Sequence, residues 1–427
     1  MWLRRCISKA KHASARFLRI PADHFRIFRP NPMNSLEWRA VIGLGAVYAL
    51  RMIGMFMILP VFALYARGLP GEITALQIGL AMGAYGLMQA VLQVPLGMAS
   101  DRWGRKPMIV LGMLVFAAGG FIAGHSHDIH WIIAGRVVQG AGAVSSVVSA
   151  LLADVTRVQV RTVAMAIVGV GMGLSFILAM VLGPVVSGWI GVDGIFTMTG
   201  VLALLAVPLV IWFVPPEPPV STAPAGSFRE VLLDPQLLRM DGGIFLLHAC
   251  MTALFVAAPF AIEATLALPG AEHWKVYLPV LVASILPVFP LVRWAESRGQ
   301  ARPVLLGSIG LLSVSLALTG LLHGSGLGLL ASLLLYFIAF NYLEGSLPSM
   351  ISRMAPPQQK GAALGVYSTA QVLGGGVGAP LAGYVLGHWG ITGVFCLAAV
   401  LPVLWLSFAV RLAPPPVADP QPLNSSH

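Results

Sequence analysis

The chain has 427 residues, 57% of them hydrophobic and only 10% charged, with a formal net charge of +10 and a mean hydropathy of +0.85. Soluble domains carry about 25% charged residues, so this composition excludes a disordered chain and a soluble enzyme, whose surface could not be so apolar. The basic balance does not signal nucleic acid, because Lys and Arg sit in short stretches between apolar runs. What remains is an integral membrane protein.

Residues 1–36 form a basic N-terminal extension (Arg4, Arg5, Lys9, Lys11, Arg16, Arg19, Arg26, Arg29) with no apolar run long enough to span. Met33, followed by Asn-Ser-Leu-Glu, is expected to be the native start; a transit peptide is the alternative. Twelve apolar runs then follow, centred near residues 53, 88, 115, 142, 175, 204, 252, 284, 312, 338, 373 and 400. Each is long enough to cross a bilayer as a helix, and irregular backbone cannot face lipid. The predicted fold is therefore all-α and membrane-spanning. A first bundle covers 37–213, a proline-rich linker 214–240, a second bundle 241–411, and a proline-rich tail 412–427.

Span one carries Arg51, about 17 Å deep at 1.5 Å per residue. Span two carries Tyr85, Gln89 and Gln93 at helical spacing, a polar stripe on an apolar helix. Its end runs into Gly97-Met-Ala-Ser-Asp101-Arg102-Trp-Gly104-Arg105-Lys106-Pro107, an acid at a helix end followed by a glycine turn and cations. His125, His127, Asp128 and His130 cluster in the next loop. One loop rarely supplies a closed ligand set, so loop polarity is the expected reading and no metal is assigned.

Span four holds Gly135-Arg136-Val-Val-Gln139-Gly140-Ala-Gly142 and ends at Asp154, and span five holds Gly183-Pro184-Val-Val-Ser-Gly188. Asp241 and Glu263 sit at the two ends of span seven, where both are expected to be wet. Span ten contains Phe340, Asn341 and Glu344, the last about 13 Å from Arg353; span eleven repeats a polar stripe in Tyr367 and Gln371. Met55, Met57, Met172 and Met180 add adaptable apolar surface. Cys6, Cys250 and Cys396 have neither metal nor disulfide spacing. The missing phosphate-cradling Gly-Lys-Ser loop excludes ATP hydrolysis, and no cofactor is implied.

With both termini cytoplasmic, 22 of the 26 Lys and Arg fall on the inner side, the bias of the positive-inside rule. The halves also look duplicated. An offset of 196 residues aligns Lys106-Pro107 with Arg302-Pro303, Arg157 with Arg353, and Pro184 with Pro380, as internal repeats of transporters do.

The stretch from Gly97 to Pro107 resembles motif A of the major facilitator superfamily. The Arg136 segment is similar to motif B of its twelve-span drug/proton antiporters, and Gly183-Pro184 with Gly188 to their antiporter motif C, although Ala179 and Ser187 stand where that motif has glycine. Residues 50–61, 271–277 and 365–371 resemble a bacterial inner-membrane branch of the family, over roughly 33–412. Fuller members of that branch add a small soluble ferredoxin-like domain after the spans, where this chain has its proline-rich tail. The resemblance implies two pseudo-symmetric six-helix bundles around a central cavity, working by alternating access. It also implies that spans one, four, seven and ten line the cavity.

Ionisable groups inside a membrane are costly and default functional candidates. Glu344 is expected to be the titrating carboxyl, with Arg51 or Arg136 tuning it. Arginine does not deprotonate in proteins and serves only to modulate. Tyr85, Gln89, Gln93, Gln139, Asn341, Tyr367 and Gln371 are expected to line the cavity; helix-to-helix hydrogen bonding is the plainer alternative. Gly97, Asp101, Arg102, Gly104, Arg105 and Lys106 are expected to gate it. Asp101 should lie near Lys360–Ala362 when the cytoplasmic side is shut, with Arg105 on Asp154. The expected function is proton-coupled efflux of small amphipathic or drug-like compounds by a monomer in a bacterial inner membrane, its partners being lipid, protons and the small-molecule substrate. A sugar or organic-acid symporter or facilitator, and a non-transporting scaffold or receptor, are the alternatives.

Overall fold

The computed structural model describes residues 33–142, 144–217, 228–356 and 359–413. Most of the basic extension and of the tail, and the middle of the linker, lie outside these. Asn34 opens the first helix: its side chain accepts the Glu37 N–H at 2.8 Å, and the Glu37 carboxylate accepts the Asn34 N–H at 2.8 Å. This reciprocal cap satisfies two backbone donors that have no partner within the helix. Helix α1 (Ser35–Arg67) is interrupted at Ile58, just ahead of Pro60, where the missing N–H breaks the helical ladder.

Helices α2 (Ala75–Trp103), α3 (Arg105–Gly124) and α4 (Ile129–Asp154) follow with short connections, and α4 consists of two segments, Ile129–Ala141 and Ser145–Asp154. Helices α5 (159–190) and α6 (192–213) form one helical stretch broken at Gly191, whose φ is 73°. The second half repeats the pattern with α7 (Pro235–Leu266), α8 (Gly270–Ser297), α9 (Ala301–Leu322) and α10 (Gly326–Met354). Its last stretch divides into α11 (360–389) and α12 (391–409) at Gly390, φ 65°. Only glycine enters that region without a steric cost, so both breaks are written in the sequence. Ten helical stretches among the described residues are long and apolar enough to cross a membrane. The two glycine breaks divide two of them, which restores the twelve spans expected from hydropathy.

In the first half α1 packs against the α5–α6 stretch, and α3 against α4 and the same stretch; in the second, α7 and α9 pack against the α11–α12 stretch. The halves meet through α2 with α11, α1 with α7 and α5 with α8. At the α2–α11 crossing the backbones nearly touch: a Cβ on Gly83 would run into the Gly376 carbonyl oxygen and lie 2.6 Å from Pro380 Cδ. Small residues allow this in a membrane, where close van der Waals packing holds helices together. Trp189, Trp212, Phe289 and Leu327 lie on the exposed perimeter, where an apolar side chain meets lipid.

Two hydrogen bonds cross between the halves among the described residues. Arg67 Nη2 meets Glu263 Oε2 at 2.6 Å, where α1 and α7 end. Gln93 Nε2 donates to Thr369 Oγ1 at 3.2 Å, on the chain-end side of the middle of α2 and α11. Arg67 and Glu263 are 196 residues apart, the offset of the sequence repeat, so equivalent positions of the two halves pair with each other. The latched side is therefore the face opposite the two chain ends.

Candidate functional site

The polar side chains inside the bundles form two separate clusters. The first hangs on the interruption in α4, which presents Ser145 at the start of the resumed helix. Ser145 Oγ accepts from Arg51 Nη2 and, at 3.1 Å, from Gln89 Nε2. Arg51 Nη1 also donates to the Tyr85 hydroxyl at 2.5 Å. The Arg136 guanidinium lies 5.0 Å from the centroid of the Tyr85 ring and donates to Ala81 O at 3.3 Å and Gln139 Oε1 at 2.9 Å. Gln139 passes on to Thr199 Oγ1 at 3.0 Å, and Gln89 to Gln93 Oε1 at 3.1 Å. Arg51 and Arg136 are both buried. Their partners are two hydroxyls, one amide, a carbonyl and two ring faces, with no carboxylate among the described residues.

The second cluster joins α7, α10 and α11. Gln371 Nε2 donates to Glu344 Oε1 at 2.8 Å and lies 3.0 Å from His248 Nε2. His248 Nε2 is 3.9 Å from Glu344 Oε2. Its other ring nitrogen is 3.3 Å from the Ile244 carbonyl, one turn back on α7. Asn341 instead turns to Ser284 on α8, at 2.9 Å. Phe340 stacks on Phe176 of α5 at 6.1 Å between centroids, closing the space between the halves beside His248.

Two expectations are corrected here. Glu344 takes its contacts from Gln371 and His248, not from Arg51 or Arg136, because each arginine is already engaged by neutral groups of its own half. Asp241 is not wet but buried, since α7 packs closely along the α11–α12 stretch and covers it. Glu263, at the other end of α7, is half-exposed and engaged by Arg67.

The charged turn after α2 is built as a brace. Arg105 bridges Asp101 at 2.6 Å and Asp154, at the end of α4, at 3.1 Å, the second as expected. It also donates to Ser100 Oγ at 2.6 Å and Gly97 O at 3.5 Å. Among the described residues no hydrogen bond or ion pair links Asp101 to Lys360–Ala362, on the face where the halves are unlatched. Glu217 of the linker accepts the Arg105 N–H at 2.6 Å beside Gly104, and Lys106 Nζ donates to Val214 O at 2.5 Å. Arg102 is exposed. Gly183 lies against the Met57 carbonyl and Pro60 where α1 is interrupted, and Gly188 faces Ala271 of α8. Pro184 O accepts from Ser187 Oγ at 2.7 Å. In the histidine loop Asp128 accepts the His130 N–H at 2.7 Å and meets His130 Nδ1 at 3.0 Å, opening α4. These contacts, the backbone one first, hold its carboxyl below the ordinary range.

The sequence reading missed His248, Ser145, Thr199, Thr369 and Glu217. His248 carried a signal, an ionisable ring inside an apolar run; the hydroxyls carried none.

The sequence pattern of the Major Facilitator Superfamily matches residues 44–340 and 242–426. The chain is 44% identical over 385 residues to the inner membrane transport protein YajR of Escherichia coli K12, covering 89% of this chain and 84% of that one. It is 25% identical to the multidrug resistance protein MdtH of Cronobacter sakazakii, over 85% of this chain and 93% of that one. Among solved structures, a bacterial homologue of the human lysosomal transporter Spinster, inward-facing and occupied, superposes with a TM-score of 0.72. Its identity is 15%, over 90% of this chain and 98% of that one.

Proposed function

The chain belongs to the Major Facilitator Superfamily and is a multi-pass membrane transporter; on that premise we propose that it is a proton-coupled exporter of small amphipathic or drug-like compounds. It works in a bacterial inner membrane with both termini cytoplasmic, as a monomer, by alternating access. The observation that carries this reading is the Glu344 carboxyl, held by Gln371 and His248 between three helices of one half. Coupling to a proton gradient needs a group whose proton affinity differs between the two states. A carboxyl does this when its surroundings change from dry to wet, since burial disfavours the charged form.

The first polar cluster supports the same reading from the other half. Arg51 and Arg136 hold a positive, hydrogen-bonded wall built from α1, α2 and α4, and Gln93 carries it across to Thr369. Asp101, held here by Arg105, reaches the start of α11 when the cytoplasmic side closes, the gating role proposed for that turn. Phe176 and Phe340, stacked across the halves, supply apolar contact.

The test uses purified full-length protein in liposomes with an imposed pH gradient and a fluorescent lipophilic cation as probe. Extrusion driven uphill by the gradient and abolished by a protonophore is expected. Flux indifferent to the gradient indicates a facilitator, probe movement in the same direction as protons a symporter, and either result overturns the export reading.

A further inference from the structure

Three helices of the second half bring unpartnered polar atoms to one wall. Both carboxyl oxygens of Asp241 on α7, the hydroxyl of Tyr367 on α11 and Oε2 of Glu344 on α10 are buried without a hydrogen-bond partner among the described residues. Asp241 is 6% exposed and Tyr367 4%. Asp241 and His248 lie two turns apart on the same face of α7, and Tyr367 lies one turn before Gln371 on α11. The contact of His248 with Gln371 sets the register of these helices. It leaves Asp241 and Tyr367 on the side of that contact toward the chain ends, at neighbouring levels of α7 and α11. At 1.5 Å per residue Asp241 is about 9 Å from the start of α7 and Glu344 about 15 Å from the end of α10. The groups form a file from that face toward the bundle interior.

Among the described residues Asp241 has no competing partner. Helix α11 contributes Tyr367 and, at its start, Lys360; α10 contributes Glu344 and Tyr336; the short helix Phe228–Leu233 contributes Glu230, held by Gln359 at 2.7 Å. Arg411, past α12, offers its carbonyl to Arg239. Where α1 and α2 meet α7, Arg67 is taken by Glu263 and Tyr85 by Arg51. A buried carboxylate without a donor is costly, whereas the acid form carries its own.

We propose that Asp241 is a second proton-carrying carboxyl, exchanging the transported proton between solvent at the face of the chain ends and Glu344, with the Tyr367 hydroxyl as the bridge. This rests on the reading of Glu344 as the coupling group. In the step that protonates Glu344 from that face, which proton entry to the cytoplasm runs in reverse, the Asp241 O–H bond breaks as its proton passes to the phenol oxygen, and the phenol's own proton passes to Glu344 Oε2. One O–H bond is lost at Asp241 and one forms at Glu344, the phenol is unchanged, and the negative charge moves from Glu344 to Asp241. His248 and Gln371 act as positioning residues that hold the receiving carboxyl.

The experiment is time-resolved difference infrared spectroscopy of the full chain in lipid after an acid jump, which reads carboxylic-acid C=O bands and needs no substrate. The wild type is expected to gain two bands. Asp241→Asn should remove one and slow the other about tenfold or more, an added barrier of at least 1.36 kcal/mol; Asp241→Glu should restore the rate. Tyr367→Phe should keep both bands and slow only the one that Glu344→Gln removes. If Glu344→Gln removes no band, the coupling reading fails whatever Asp241 does. If Glu344→Gln removes its band but Asp241→Asn removes none, or the slowing is absent, the relay is overturned while the coupling reading stands. Should Asp241→Asn not fold, an unchanged rate in Tyr367→Phe overturns the relay by itself.

Discussion

Glu344 and the two buried arginines show how differently three intramembrane charges are handled. Arg51 and Arg136 are satisfied by Tyr85, Ser145, Gln139 and a backbone carbonyl, all neutral, so their charge persists through any cycle. Glu344 has one oxygen bonded by an amide and the other beside an imidazole, an arrangement that accommodates both a carboxylate and an acid. Glu344→Gln preserves the volume and a hydrogen bond to Gln371. The variant is therefore expected to fold and to bind the probe cation, with pH-gradient-driven extrusion falling at least about a hundredfold, the usual size of a lost proton-transfer group. Transport assays in liposomes check this, and uphill extrusion at the wild-type rate would show that the coupling group lies elsewhere.

At the scale of elements, the helices are broken where the sequence breaks them, and the breaks position the site. Pro60 interrupts α1 beside Gly183, and α4 resumes at Ser145, which accepts from Arg51. The most extensive joint between the halves is α2 on α11, where Gly83 leaves no room for a Cβ beside Gly376 and Pro380. Gly83→Leu forces the helices apart, and overpacking of this kind costs about 1–3 kcal/mol. The conformation latched on the face opposite the chain ends should lose population by that amount. A cysteine placed on that face should then react faster with a membrane-impermeant thiol reagent, and unchanged labelling in a folded variant would contradict the joint's role.

For the whole molecule, the Arg67–Glu263 pair is the point where the two repeats meet at equivalent positions, with Arg67 also 5.1 Å from the Phe260 ring centroid. Both side chains are partly exposed, so the pair is worth about 0–1 kcal/mol. Arg67→Glu is expected to raise labelling of the same face by up to about fivefold, the population equivalent of 1 kcal/mol. The exchanged pair Arg67→Glu with Glu263→Arg should return it to the wild-type level. Labelling that the single reversal leaves untouched would remove the pair as a latch. A latch this weak suits the alternating access proposed above.

Much of this protein is determined locally and was therefore legible in its sequence. The spans follow from apolar length, because a bilayer permits only helices with every backbone group paired internally. The 196-residue offset announced the duplication seen in the pairing of Arg67 with Glu263, and charge bias along the loops carries the proposed orientation. Motif spacing identified the family, and the short reach from Arg105 to Asp154 between neighbouring helix ends was readable too. Partnerships between distant helices were not. Whether Asp241 lies in water or under α11, whether Glu344 meets an arginine or His248, and whether Gln93 reaches Thr369 depend on how helices rotate and pack. In a membrane, rotation is set by contacts between small residues and by hydrogen bonds across helices, which involve residues far apart in the chain. The tertiary structure alone decided them.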